Sequence, residues 1–180
     1  MKGINKIIWG LVFALFNINF GFINLLPDVI GYAMIAYGAS ELGFEKAKKW
    51  AVWLALLSFP SIINLNGNLL EGIQMTPMYF ASTIYHAIIV LFHIVLIYEI
   101  LKALIKLAEQ KGLETIVGKA KKRINQYTII TIIYLVGMSF VINMDELISL
   151  TFLVLISVLI FIMEIIIIFL IREFSRLLVE

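Results

Sequence analysis

The C-terminal third of the chain contains a hydrophobic run that few folds accommodate. From Leu147 to Ile171, every residue except Glu164 is apolar, serine or threonine. A transmembrane helix needs about 20 consecutive, mainly apolar residues, and this run is long enough. The chain as a whole has 180 residues, 62% of them hydrophobic, and a mean hydropathy of +1.04. Soluble domains are about 45–50% apolar, so the sequence predicts a protein that uses the bilayer as its solvent.

Five further hydrophobic runs predict an all-α, polytopic transmembrane helix bundle of about six spans. Gly112 is a typical residue for a helix C-terminus, and Asp145 is suited to cap the sixth span. The chain, 1–180, is then a single membrane domain. The predicted spans are 4–26, 28–42, 50–65, 77–98, 124–142 and 146–171, and an amphipathic cytoplasmic segment covers 99–123.

The basic residues predict the orientation of these spans. If the N-terminus lies inside the cell, all 14 Lys and Arg residues fall on the cytoplasmic side. The outer turns then hold only acidic residues, namely Asp28, Glu71, Asp145 and Glu146. The positive-inside rule therefore places both the N-terminus and the C-terminus in the cytoplasm.

Composition and motifs argue against several classes of function. The chain has no cysteine, which removes disulfides and cysteine-ligated metals. Its net charge of +2 is too small to indicate nucleic acid as a partner. The zinc motif H-E-x-x-H, the nucleophile elbow G-x-S-x-G and a glycine-rich phosphate loop are all absent from the sequence. We therefore expect no catalytic residue, no metal and no cofactor, which favours a non-enzymatic protein.

Small and polar residues recur on one face of the first predicted span. They are spaced by three and four residues, as on one side of a helix: Gly10, Ala14, Asn17, Gly21, Asn24 and Asp28. Such a stripe marks the protein-facing side of a membrane helix. Gly31 and Gly38 give the second span a matching small face, which we expect to pack against the first. Asp28, at the outer turn, either caps the second helix or contributes to an ion site.

Ionisable groups inside a bilayer each carry an energetic cost that needs a reason. The four main candidates are Asp28, His86, His93 and Glu164. The two histidines are seven residues apart on one helix, so roughly 10 Å separates them. That distance is too long for them to share one metal ion without ligands from elsewhere.

The depths of these residues permit two clusters. His93 and Glu164 lie at matching positions, roughly 12–14 Å from the basic residues that mark the inner edge. An inner cluster would combine them with Asn17, and an outer cluster would combine His86 with Asn24 and Asp28. Either cluster forms a polar cavity or ion path, or it supplies hydrogen bonds between helices, each worth about 0.6–1 kcal/mol.

A basic group follows the amphipathic segment and consists of Lys119, Lys121, Lys122 and Arg123. Basic residues at the inner end of a helix hold its orientation. The same group is also suited to contact an anionic lipid or a partner membrane protein.

The N-terminal region resembles a known group of proteins. Trp9-Gly10, followed by Leu26-Pro27-Asp28-Val29-Ile30-Gly31-Tyr32, is similar to uncharacterised small bacterial integral membrane proteins with an N-terminal W-G segment and an L-P-D-x-I-G-Y turn. The likeness covers about the first 45 residues. It implies a multi-pass protein of the bacterial cytoplasmic membrane and implies no activity.

Three functions remain open from the sequence. The first is non-enzymatic binding or transport of a small solute or ion through a polar intramembrane cavity lined by Asn17, Asn24, His86, His93 and Glu164. The second is a structural or regulatory membrane bundle that docks a partner or anionic lipid through its basic inner segment. The third is a membrane-embedded hydrolase.

Overall fold

The computed structural model describes residues 2–15, 19–20, 23–24, 28–59 and 77–178. Within these residues the chain forms six α-helices, one 3-10 turn and one pair of two-residue strands, so the predicted helical fold is confirmed. The elements, in chain order, are α1 Lys2–Leu15, β1 Asn19–Phe20, β2 Ile23–Asn24, α2 Asp28–Glu41, α3 Glu45–Leu57, α4 Pro77–Gln110, α5 Glu114–Phe140, the 3-10 turn Val141–Asn143, and α6 Glu146–Leu177.

Contacts between residues divide the chain into two compact units, 1–100 and 101–180, and the boundary falls inside α4. The first unit contains α1, the two strands, α2, α3 and the first two thirds of α4. The second unit contains the end of α4 together with α5 and α6.

In the first unit, α1 and α2 pack against each other through paired glycines. A methyl group on Gly10 would lie 2.6 Å from the carbonyl oxygen of Gly31, and one on Gly3 would lie 2.8 Å from that of Gly38. The two helices are therefore antiparallel, and each presents glycines seven residues apart. Close approach of helix backbones through small residues is typical of membrane proteins. The predicted packing of the two small faces is confirmed.

The prediction of one continuous helix from residue 4 to residue 26 is wrong. Helix α1 ends at Leu15, and β1 then pairs with β2 in an antiparallel ladder that joins Phe20 to Ile23 and Asn19 to Asn24. Asn and Gly are poor helix formers, whereas Phe and Ile favour strands, so the local sequence supports the change. Of the predicted stripe, Gly10 and Ala14 lie on α1 and contact α2, and Asn17 and Gly21 lie outside the described residues.

Within the described residues, two helical stretches are long and apolar enough to cross a membrane: Ile84–Gln110 and Leu147–Leu177. A six-span bundle is not supported by this measure. Helices α1, α2 and α3 have 14, 14 and 13 residues, so each is about 20 Å long, against a hydrocarbon core of about 30 Å. Helix α5 is longer, but its first turns are basic. The predicted span 50–65 continues past α3 into residues 60–76, which lie outside the described part.

Two helices end in turns of the same geometry. After α2, Gly43 has φ +70°, and its neighbour Phe44 donates its backbone N–H to the Ala39 carbonyl at 2.9 Å. After α4, Gly112 has φ +71°, and Leu113 donates to the Ala108 carbonyl at 3.0 Å. This pattern is the Schellman motif, in which the left-handed backbone favours glycine. The predicted helix end at Gly112 is confirmed.

The second unit is held together at both ends. Asp145 caps α6, because its side chain accepts the backbone N–H of Leu147 at 3.0 Å, as the sequence predicted. The ring of Phe152 on α6 lies against Gly137 on α5, where a larger residue would not fit. At the other end, the apolar face of the amphipathic segment is buried, with Leu104, Ala108 and five further residues at 7% exposure or less: Leu101, Ile105, Ile116, Val117 and Ala120.

Candidate functional site

His93 lies on α4 in the first unit and is bound by a tyrosine of α2. The distance from the Tyr32 hydroxyl to His93 Nδ1 is 2.9 Å, and the two rings meet edge to face with centroids 5.8 Å apart. Tyr32 is only 5% exposed. It directly follows Gly31, whose contact with α1 fixes the position of this part of α2. The hydroxyl and the imidazole are therefore held in a defined geometry inside the unit.

Glu164 lies on α6 in the second unit and is also bound by a tyrosine. The hydroxyl of Tyr127, on α5, donates to Glu164 Oε1 at 3.2 Å. Tyr127 is 3% exposed, and Glu164 is half-buried. One turn further along α5, the buried Thr131 hydroxyl donates to the Tyr127 carbonyl at 2.9 Å. The Glu164 carboxyl group, which the sequence singled out, is thus positioned by a tyrosine that the sequence did not.

These two tyrosines are the site residues that sequence reasoning missed. A buried tyrosine hydroxyl usually has a hydrogen-bond partner, and that rule is the one signal that would have drawn attention to them. The predicted inner cluster joined His93 to Glu164 and Asn17. His93 and Glu164 belong to different units, and each has its tyrosine within its own unit; Asn17 lies outside the described residues.

The predicted outer cluster is described in part. Asp28 begins α2, where its carboxylate favours the positive end of the helix. The Tyr85 hydroxyl donates to the carbonyl of Leu57 at the end of α3. Helices α3 and α4 therefore meet through Leu57 and Tyr85. His86 lies at an exposed position of α4, and only the backbone pairing of Asn24 in β2 is described.

A second polar group lies at the other end of the α1–α2 pair. Lys6 Nζ is 2.5 Å from Glu41 Oε1 and 4.0 Å from the centre of the Tyr37 ring. An open, largely apolar groove of about 440 Å³ begins there and follows the outer face of α2; it is lined by Lys6, Val29, Ile30, Ala33, Met34 and Tyr37. The groove therefore has an apolar surface along its length and the ammonium group of Lys6 at one end.

The basic group that was predicted to contact lipid or a partner mostly makes bonds within the second unit. Lys119 binds Glu173 at 2.7 Å, Lys121 binds Glu109 at 2.9 Å, and Arg123 donates to Gln126 at 2.8 Å. Lys122 is exposed. Together with the burial of the apolar face, these bonds give the segment a role in holding α4, α5 and α6 together at this end.

Among the residues that the structure describes, no three His, Cys, Asp or Glu side chains are grouped closely enough to hold a metal ion. Comparisons with protein families, with curated proteins and with solved structures find no match for this chain.

Proposed function

We propose that the protein is a non-enzymatic, multi-pass membrane protein that binds or transports a small solute or ion. We also propose that the Glu164 carboxyl group binds this solute or ion. The observation behind this proposal is the hydrogen bond from Tyr127 to Glu164. Glu164 is the one ionisable residue in the run from Leu147 to Ile171. A carboxyl group in hydrocarbon is costly, and the oxygen atoms of a half-buried, tyrosine-bound carboxyl group are suited to bind a small cation.

Exposed apolar side chains support the placement in a membrane. Helix α6 exposes large residues along its whole length, from Leu147 at 71% to Phe169 at 62%. Helix α5 exposes a second series at Ile129, Ile132, Ile133, Val136 and Phe140. Soluble proteins rarely leave contiguous apolar surface of this extent in water. Lipid is the solvent that these surfaces fit.

The basic residues support six crossings with both termini in the cytoplasm. In the first unit, the pairing of Lys6 with Glu41 puts the start of α1 and the end of α2 at one end, beside the basic start of α3. In the second unit, the pairing of Lys119 with Glu173 puts the start of α5 at the end of α6. Each unit thus collects its basic residues at one end, as the positive-inside rule requires. The short α1, α2 and α3 cross where the bilayer thins or where neighbours shield them.

The bacterial cytoplasmic membrane is the location that we propose. Its support is the resemblance of Trp9-Gly10 and of Leu26 to Tyr32 to small bacterial membrane proteins. Docking of a partner or an anionic lipid through Lys119, Lys121 and Arg123 has less support, because these side chains form hydrogen bonds within their own unit.

Ion flux through reconstituted vesicles tests the proposal. The full chain is placed in liposomes that contain a fluorescent dye sensitive to the ion under test, and an imposed gradient of protons, Na⁺ or K⁺ is allowed to collapse. We expect flux above that of protein-free vesicles, and we expect Glu164→Gln to remove it. Glu114→Gln is the matched control, because Glu114 is an exposed carboxylate at the start of α5. The proposal fails if no ion crosses faster than in empty vesicles, or if Glu164→Gln carries the wild-type flux.

A further inference from the structure

We infer that the groove on α2 binds an anionic phospholipid of the inner leaflet, with one acyl chain along the groove and the headgroup phosphate at Lys6. The inference rests on the membrane placement proposed above and is independent of ion flux. It concerns a surface of the first unit that is separate from Glu164 and from the basic group at Lys119 to Arg123.

The shape of the groove fits one acyl chain. Its lining runs from Val29 to Tyr37 along α2, a rise of about 12 Å over eight residues. An acyl chain that spans half of a bilayer core is about 15 Å long, so its length is close to that of the groove. Ala33 lies in its middle and leaves room between the larger side chains of Ile30 and Tyr37, which are 48% and 61% exposed.

The polar end of the groove fits a phosphate. Lys6 has three N–H donors, of which one is directed to Glu41 at 2.5 Å, and its side chain is 31% exposed. Lys2 is exposed one turn earlier on α1. Glu41 and the Tyr37 ring hold the ammonium group in place at the mouth of the groove.

The charge around this end selects an anionic lipid over a zwitterionic one. Helix α1 and the first turns of α3 carry five basic residues: Lys2, Lys6, Lys46, Lys48 and Lys49. The acidic residues beside them are Glu41 and Glu45. The excess is positive and lies on the cytoplasmic side in the proposed topology, where anionic headgroups attract basic residues.

The test measures lipid bound to the full chain in a neutral detergent by native mass spectrometry. Phosphatidylglycerol and phosphatidylcholine with identical acyl chains are titrated separately. We expect a clear preference for phosphatidylglycerol, and we expect Lys6→Gln to weaken its binding about fivefold, equivalent to about 1 kcal/mol. Glu41→Gln keeps the ammonium group and removes its competitor, so it should bind phosphatidylglycerol at least as tightly as the wild type does.

Two matched pairs separate the groove from general effects. Arg172→Gln removes an exposed cation on α6, outside the Lys119 to Arg123 group, and should leave the preference unchanged. Ala33→Trp fills the groove and should weaken binding of both lipids, whereas Ser157→Trp adds the same side chain to an exposed position of α6 and should not.

The inference is overturned if Ala33→Trp binds both lipids like the wild type, or if Lys6→Gln and Arg172→Gln have equal effects. It is also overturned if the spectrum shows a dimer that Ala33→Trp breaks, because a second copy would then occupy the groove. The ion flux of each variant is measured in parallel. If the protein conducts ions but shows no preference for phosphatidylglycerol, the lipid inference is refuted and the proposed ion transport is not.

Discussion

Gly10 and Gly31 meet backbone to backbone. A methyl group on Gly10 would lie 2.6 Å from the Gly31 carbonyl oxygen, and a methyl group on Gly31 would lie 2.7 Å from that of Gly10. The contact is reciprocal because the helices are antiparallel, and Gly3 and Gly38 repeat it two turns away. The α1–α2 pair therefore has no room for a side chain at these four positions.

Gly10→Leu should separate α1 from α2 and destabilise the protein. Overpacking of a close contact costs about 1–3 kcal/mol, and here the obstacle is backbone, which cannot rotate away. The free energy of unfolding, measured by titration of detergent-solubilised protein with SDS, should fall by that amount. Gly118→Leu is the control, because a Cβ at Gly118 has nothing within 4 Å. Equal stability of the two variants would show that the glycine contact contributes nothing.

Gly112→Ala should destabilise the protein although there is space for the methyl group. Gly112 has φ +71°, and a Cβ at this position would have no atom within 4 Å, so the cost is that of a left-handed backbone, about 1–2 kcal/mol. Gly118→Ala, inside α5, should instead stabilise by about 0.5–1 kcal/mol. The measurement is the thermal unfolding midpoint of both variants in one detergent. A stabilising Gly112→Ala would contradict the assigned turn.

Tyr127→Phe and Glu164→Leu should show coupled effects on stability. Their side chains share a hydrogen bond of 3.2 Å, and such bonds between membrane helices are worth about 0.6 kcal/mol on average. A double-mutant cycle of unfolding free energies should return a coupling of about that size. Ser139→Ala with Glu164→Leu is the control, since Ser139 is exposed and its hydroxyl donates to the Leu135 carbonyl of its own helix. This control pair should be additive, and additivity in both cycles would remove the proposed role of Tyr127.

Sequence patterns predicted the features that depend on neighbouring residues along the chain. Gly112 ends a helix because of its own backbone, and Asp145 caps a helix because of its distance from Leu147. Gly31 and Gly38 were expected to pack on the first helix because both lie on one face. In each case the physical cause acts over a few residues or follows the helical period.

Features that depend on distant residues escaped prediction. Tyr32 and His93 are 61 positions apart, and Tyr127 and Glu164 are 37 apart, so no spacing rule connects them. The end of α1 at Leu15 escaped for another reason. The residues that follow are apolar enough to continue a membrane helix, and hydropathy does not distinguish that helix from the paired strands at Phe20 and Ile23.

The proposed topology predicts which positions are reached from each side of the membrane. The chain has no cysteine, so a single introduced thiol reports its own location. Lys46→Cys and Lys122→Cys stand at exposed positions on the basic ends of the two units, and in intact cells they should resist a membrane-impermeant maleimide until the cells are opened. Met144→Cys lies in the turn before α6, where the native side chain is 40% exposed, and it should react in intact cells.

Because α5 and α6 run in opposite directions from that turn, an odd number of crossings elsewhere would move Lys46 to the outer face. Labelling of Lys46→Cys in intact cells would therefore refute six crossings while leaving the orientation of α5 and α6 intact, and protection of Met144→Cys would refute that orientation as well.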